Sequence, residues 1–120
     1  MYQIHRDRLP NGLRLLVVEQ QHLQSATLSL FIKVGSRFET RETNGISHFL
    51  EHMVFRGTES HPSAYALNLA AEQLGGTLYA ATQADHTTYR LTVPSERAEE
   101  ALAVLAEMLT TPRFHELALE

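Results

Sequence analysis

Polar and apolar residues alternate through residues 26–34: Leu28, Leu30, Ile32 and Val34 share one face, Thr27, Ser29, Phe31 and Lys33 the other. A two-residue period predicts a strand with one buried face. The period returns at 86–93, where Thr87, Tyr89, Leu91 and Val93 stand opposite Thr88, Arg90 and Thr92. Residues 77–83 suit a strand as well, and the short polar link between these two predicts a hairpin. Upstream, residues 3–8 fit a short edge strand and 13–19 an apolar, β-branched one, with a turn at Pro10-Asn11-Gly12 between them. Residues 20–24 read as a loop and 35–43 as a charged connection.

The period changes to that of a helix in three places. The first helix is expected over 45–56, with Asn44 as N-cap and Gly57 as stop. The second covers 62–74: Ser60 or His61 starts it, Pro62 suits its first turn and Gly75-Gly76 ends it. Leu67, Ala70, Ala71 and Leu74 form its apolar stripe. Pro94-Ser95 opens the third, with Glu96, Glu99 and Glu100 favourable near its positive end. Ala98, Ala101, Leu102, Leu105, Met108 and Leu109 keep core spacing until Pro112, and residues 113–120 begin a further segment. Strands, two helices, strands and a helix predict an α+β fold, a largely antiparallel sheet with helices packed on one face. No internal repeat or low-complexity tract interrupts it.

The first helix carries the chemistry, in the run His48-Phe49-Leu50-Glu51-His52. Positions four apart share a helix face. With Ile46 at zero, His48 falls near ~200°, His52 near ~240° and Glu51 near ~140° on a helix of about 100° per residue. Ile46, Phe49, Leu50 and Met53 cluster near ~0° and are expected to be the core-facing side. Neutral imidazole binds zinc at roughly 2.0–2.1 Å. Glu51 lies too far round to be the obvious third ligand, but is placed to take a proton from a metal-activated water and pass it to a leaving amine. Two histidines on a solvated helix face are the plain alternative. With seven histidines in the chain, a chance H-x-x-E-H arises on the order of a few per cent of the time.

Composition narrows the setting. One domain fits 120 residues. A net charge of −4 without a basic block weighs against nucleic acid. No cysteine is present, so disulfides and thiolate metal sites are excluded. No apolar run is long enough to span a bilayer, and the first residues lack the apolar core of a secretory signal. The expectation is a cytoplasmic protein with no membrane partner. His5, His22, His61, His86 and His115 are scattered and read as surface or turn residues. Phe49 is expected in the core, and Phe55, on the metal face, as a wall of the zinc pocket. Gly75-Gly76 lacks the Lys-Ser/Thr of a phosphate loop and reads as a helix end.

The flanks of the pentapeptide add a resemblance. Leu9-Pro10-Asn11-Gly12-Leu13, Gly35-Ser36-Arg37-Phe38-Glu39-Thr40 and the unbroken run from Asn44 to Thr58 resemble the N-terminal part of the family of pitrilysin, insulysin and the mitochondrial processing peptidase. The likeness runs from Leu9 to about Pro112. It implies an inverted zinc motif, with His48 and His52 as ligands of one Zn2+ and Glu51 as the catalytic base. The family's third ligand is a glutamate roughly 70–80 residues after the second histidine of that inverted motif. Glu116 and Glu120 fall short of that position, so the third ligand is expected beyond Glu120. A family Asn-Ala pair that binds substrate backbone corresponds to Tyr79-Ala80. Tyr79 departs from the asparagine, though its hydroxyl can still donate a hydrogen bond.

Family members are several-fold longer and built from repeated halves that close around a peptide. The resemblance makes residues 1–120 the first part of the first such domain. It implies a zinc metalloendopeptidase acting on peptides or unfolded segments, with only part of the active site in this chain, which is expected to be inactive alone. Its expected partners are a peptide substrate, the remaining domains of the parent protein and other subunits in a homo- or hetero-oligomer. The alternative is a non-catalytic partner or structural subunit of the same family. Retention of His48, Glu51 and His52 weighs against it, and Tyr79 slightly for it.

Overall fold

Asn11 and Gly12 fold the chain back early. Asn11 Oδ1 accepts the Leu13 amide at 3.0 Å, Leu9 N donates to Leu13 O at 2.8 Å, and Gly12 takes φ +92°, a left-handed conformation open to glycine. The result is an antiparallel hairpin of β1 (Gln3–Arg8) and β2 (Arg14–Glu19), in register from Gln3 opposite Glu19 to Arg8 opposite Arg14. The computed structural model describes residues 2–112. The segment expected at 113–120, with His115, Glu116 and Glu120, lies outside the described residues.

A second, three-stranded sheet has the order β3-β5-β4, antiparallel throughout. Its strands are β3 (Ser25–Ile32), β4 (Leu78–Thr82) and β5 (Thr87–Pro94). The α+β class and the antiparallel pairing are as the sequence predicts, with the strands divided over two sheets. Alternation decides the faces: Thr87, Tyr89, Leu91 and Val93 are all buried, while Arg90 and Thr92 are exposed. Leu28, Leu30 and Ile32 of β3, with Leu78 and Ala80 of β4, line the same inner face.

Three helices cover that face: α1 (Ile46–Val54), α2 (Ala64–Gln73) and α3 (Ala98–Thr110). α2 begins later than its expected start at Ser60 or His61. The amides that follow Gly57 are committed to a turn, with Thr58 N donating to His61 O at 2.7 Å, and the Ser63 hydroxyl then caps the helix by accepting Ala66 N at 3.0 Å. α3 buries Ala101, Val104, Leu105 and Met108, the i, i+3, i+4, i+7 stripe. Leu102, expected in the core, is exposed, and Val104 takes the inward place. Leu67 and Ala71 of α2 complete the core with Leu91, Leu105 and Met108, all at or below 1 % exposure.

Two connections tie the layers. A short 3-10 turn, Ser36–Phe38, leaves β3 and crosses the tip of the β4–β5 hairpin, where Arg37 N donates to Ala84 O at 2.7 Å. Gly35 is buried there, and a Cβ on it would collide with the carbonyl oxygens of Gln83 and Ala84. After α1, Thr58 is fully buried and bridges to Pro112, joining the start of α2 to the end of α3. No helix among the described residues is long and apolar enough to cross a membrane.

Candidate metal centre

α1 lacks a cap of its own. Asn44, expected as N-cap, is displaced by Gly45 at φ +86°, which has no side chain to offer. Glu39, upstream, supplies the missing acceptor. Its Oε1 takes the Gly45 amide at 2.7 Å and its Oε2 the Ser47 amide at 3.0 Å. A carboxylate on unpaired helix N–H groups also meets the positive end of the helix dipole. Hydrogen bonds from the Ser47 side chain and then from the Gly45 and Ser47 amides hold the Glu39 carboxyl below the usual carboxylate range.

The burial of α1 differs from the expectation. Of Ile46, Phe49, Leu50 and Met53, only Met53 is buried; Ile46 is 52 % exposed, Phe49 47 % and Leu50 43 %. The inward stripe is instead Ser47, Glu51 and Val54, at i, i+4 and i+7. Anchors outside the helix select this face: Glu39 grips Ser47, and the Thr82 hydroxyl of β4 donates to Glu51 Oε2. The two flanks are thereby turned outward, the histidines on one and the apolar residues on the other. Phe55, expected to wall a metal pocket, packs on the edge of the core with its ring 6.3 Å from that of Tyr89.

The structure brings His48, Glu51 and His52 together as the sequence predicts. One ligand atom from each lies within 4.8 Å of the others, the one such group of His, Cys, Asp and Glu among the described residues. The histidine Nε2 atoms are 3.0 Å apart, with their rings edge to face. Two nitrogens bound to one tetrahedral zinc stand roughly 3.3 Å from each other, so the pair is preset to within a few tenths of an ångström. The same approach is a hydrogen bond when one ring is protonated at Nε2 and the other is not. Both rings are exposed and open to an arriving ion, while Glu51 is more sheltered. Two neutral imidazoles are ligands suited to zinc; with Glu51 kept free as a base, they are one protein ligand short of the usual three.

Beneath Glu51 lies Tyr89 of β5. Burial, and secondarily the charge of Glu51, push its phenol up to about 12, so it stays neutral at ordinary pH. Ala80 shares the inner face of β4 with Leu78 and Thr82. Tyr79 points the opposite way, half-exposed, with the Arg90 guanidinium 4.5 Å over its ring. Among the described residues β4 pairs with β5 alone, so its other edge carries backbone groups without a strand partner. Sequence reasoning missed Thr82. The two-residue step from Leu78 through Ala80 was the signal that would have placed it under α1.

The other described histidines stand apart from this group. His61 sits in the turn before α2, half-buried. Its Nδ1 lies 3.2 Å from Glu107 of α3, which also accepts from the Thr58 hydroxyl and the Ser60 amide. Burial raises the Glu107 carboxyl, but hydrogen bonds from Thr58, Ser60 and His61 and the charge of His61 outweigh it and leave the group lowered. His86 pairs with Asp85 at 2.8 Å at the hairpin tip, and His5 with Glu19 at 3.0 Å on the first hairpin.

Comparison with known proteins follows the same residues. A family model described as Insulinase (Peptidase family M16) matches residues 14–120. The chain is 44 % identical over 108 residues to a probable mitochondrial-processing peptidase subunit beta of Arabidopsis thaliana, covering 90 % of this chain and 20 % of that protein. It is 40 % identical over 117 residues to the uncharacterized zinc protease YmxG of Bacillus subtilis, covering 98 % and 28 %. The crystal structure of a protease from Helicobacter pylori superposes with a TM-score of 0.89 at 25 % identity, over 98 % of this chain and 28 % of that one. The chain thus spans between about a fifth and a little over a quarter of the length of these proteins.

Proposed function

The chain belongs to the insulinase family, peptidase family M16, and from that premise we propose that it carries the metal-binding helix and catalytic base of a zinc-dependent peptidase. The observation that carries the proposal is the 3.0 Å approach of His48 and His52 Nε2 beside the Glu51 carboxylate. In this reading His48 and His52 hold the ion, and the third ligand comes from chain beyond Glu120. Zinc, when bound, supplies a Lewis acid that polarises a peptide carbonyl and makes water nucleophilic near neutral pH. Glu51 takes a proton from the attacking water and returns it to the departing amine.

Residues 1–120 are, on this proposal, the first part of a domain whose remainder completes the site. The substrate is a peptide or unfolded segment. It would lie extended along the outer edge of β4 at Tyr79 and Ala80, main chain to main chain. A peptide docked there passes the strand whose Thr82 touches Glu51. With its side chain on the outer face under Arg90, Tyr79 would contribute its backbone rather than its hydroxyl.

Zinc content and cleavage of an unstructured peptide, measured on the full-length protein, test the assignment. Glu51→Gln is expected to lower cleavage by about 10²-fold or more while zinc is retained. His48→Ala and His52→Ala are expected to lose zinc and cleavage together. Zinc bound as tightly by both histidine variants as by the wild type defeats the ligand assignment.

A second reading, a partner subunit without peptidase activity, draws on tyrosine at position 79 and on relatives named as a beta subunit. A full-length wild type that holds zinc yet cleaves no unstructured peptide would favour it.

A further inference from the structure

The Glu51 carboxylate has two oxygens, and the fold treats them differently. Oε2 accepts a hydrogen bond from the Thr82 hydroxyl. That hydroxyl belongs to β4, thirty-one residues further along the chain, and shares the inner face with Leu78 and Ala80. Thr82 is held by the sheet, opposite Thr87 in the β4–β5 register, and is half-buried. Its β-branched side chain has restricted χ1 freedom, so the donor stays aimed. Tyr89 lies close enough for Glu51 to raise its phenol, yet it makes no hydrogen bond to that carboxylate in the described structure. Thr82 is thus the side chain that fixes how Glu51 is turned.

We propose that Thr82 is a positioning residue for the base: its hydroxyl pins Glu51 Oε2 to β4 and leaves Oε1 to receive the proton of the attacking water. The inference rests on the peptidase reading above and deepens it. Thr82 itself gains and loses no proton; it restricts rotation of the carboxylate about its last bond. Without it, Glu51 samples orientations in which neither oxygen faces the histidine pair, and the proton-transfer geometry is reached less often. Substrate affinity does not depend on that rotation, so the loss falls on kcat rather than KM.

Thr82→Val keeps shape and removes the donor; Thr82→Ser restores the donor. In the full-length zinc-loaded protein, Thr82→Val is expected to lower kcat for an unstructured peptide by about tenfold or more, with KM and zinc content within about twofold of wild type. Thr82→Ser is expected to recover most of the loss. Failure of serine to rescue, or a loss confined to KM, overturns the assignment.

The metal-free full-length protein gives an independent reading. Thr82→Val should lower its melting temperature by a few degrees, because a sheltered carboxylate loses its donor. In a Glu51→Ala background the same change should cost little or nothing. Equal shifts in both backgrounds mean that the two residues are not linked, and defeat the proposal. Coupled melting in a protein that cleaves nothing would leave the contact standing, defeat the peptidase reading and remove the catalytic role of Thr82 with it.

Discussion

Glu39 accepts the Ser47 amide at 3.0 Å across eight residues and so caps a helix to which it does not belong. Its hydrogen bonds favour the ionised form and lower its pKa in the folded chain. A lowered folded pKa means that the stabilisation is present above the unfolded value and is lost as pH falls through the folded one. The wild type should therefore melt higher than Glu39→Gln at neutral pH. The gap should begin to close as pH falls to the unfolded glutamate value of about 4.3 and vanish only below the lowered folded value. Melting curves of both proteins across that range check this; a gap independent of pH would contradict it.

Core placement makes two leucines unequal. Leu91 is fully buried on β5, between β3 and β4, whereas Leu102 is half-exposed on α3. Leu91→Ala should cost about 2–5 kcal/mol, from lost transfer energy and the cavity left behind. Leu102→Ala should stay within about 0.5 kcal/mol of wild type. Urea denaturation of both variants measures the difference. Similar costs would mean that α3 is turned the other way.

Much of this was legible from the chain and some was not, for identifiable reasons. The alternation of Thr87, Tyr89, Leu91 and Val93 was readable because every odd position in β5 meets the same helical layer. The His48–His52 pairing was readable because it follows from helix geometry alone. The inward face of α1 was not. By pattern, Ile46, Phe49 and Leu50 should face the core, but Glu39 and Thr82, distant in sequence, hold Ser47 and Glu51 inward instead. Asn44 failed as a cap for the same reason, since a remote carboxylate had already satisfied the amides. Leu102 and Val104 exchanged places because both lie near the edge of a broad apolar arc, where a small rotation of α3 decides burial.

The knot at Thr58 predicts a sharper loss than its size suggests. Thr58→Val removes the hydroxyl that donates to Glu107 and accepts the His61 amide at 3.0 Å. Because the site is buried, the orphaned groups find little water, and the cost should be about 1–3 kcal/mol. Denaturant titration checks the value. A neutral outcome would mean that His61 and Ser60 alone satisfy Glu107.

Exposed apolar surface on α1 and the first hairpin predicts association. Phe49 and Leu50 lie on one, and Leu16 (63 % exposed), Val17 and Val18 on the other. Residues 1–120 alone should sediment as more than a monomer, and Phe49→Glu with Leu16→Glu should shift the population toward monomer. A monodisperse wild-type monomer in ultracentrifugation contradicts this.

Gly35 has a practical consequence for anyone who wishes to label or lengthen this protein. Its backbone is clasped against Gln83 and Ala84, so the β4–β5 turn, though it looks like a free loop tip, has no room to grow without pushing the chain that leads into α1. The turn at Gly12 faces open space: a Cβ added there would meet nothing within 4 Å beyond its chain neighbours. A fluorophore, epitope or inserted domain is therefore expected to fit at the first turn. At the second it is expected to push on Gly35 and the chain that leads into α1.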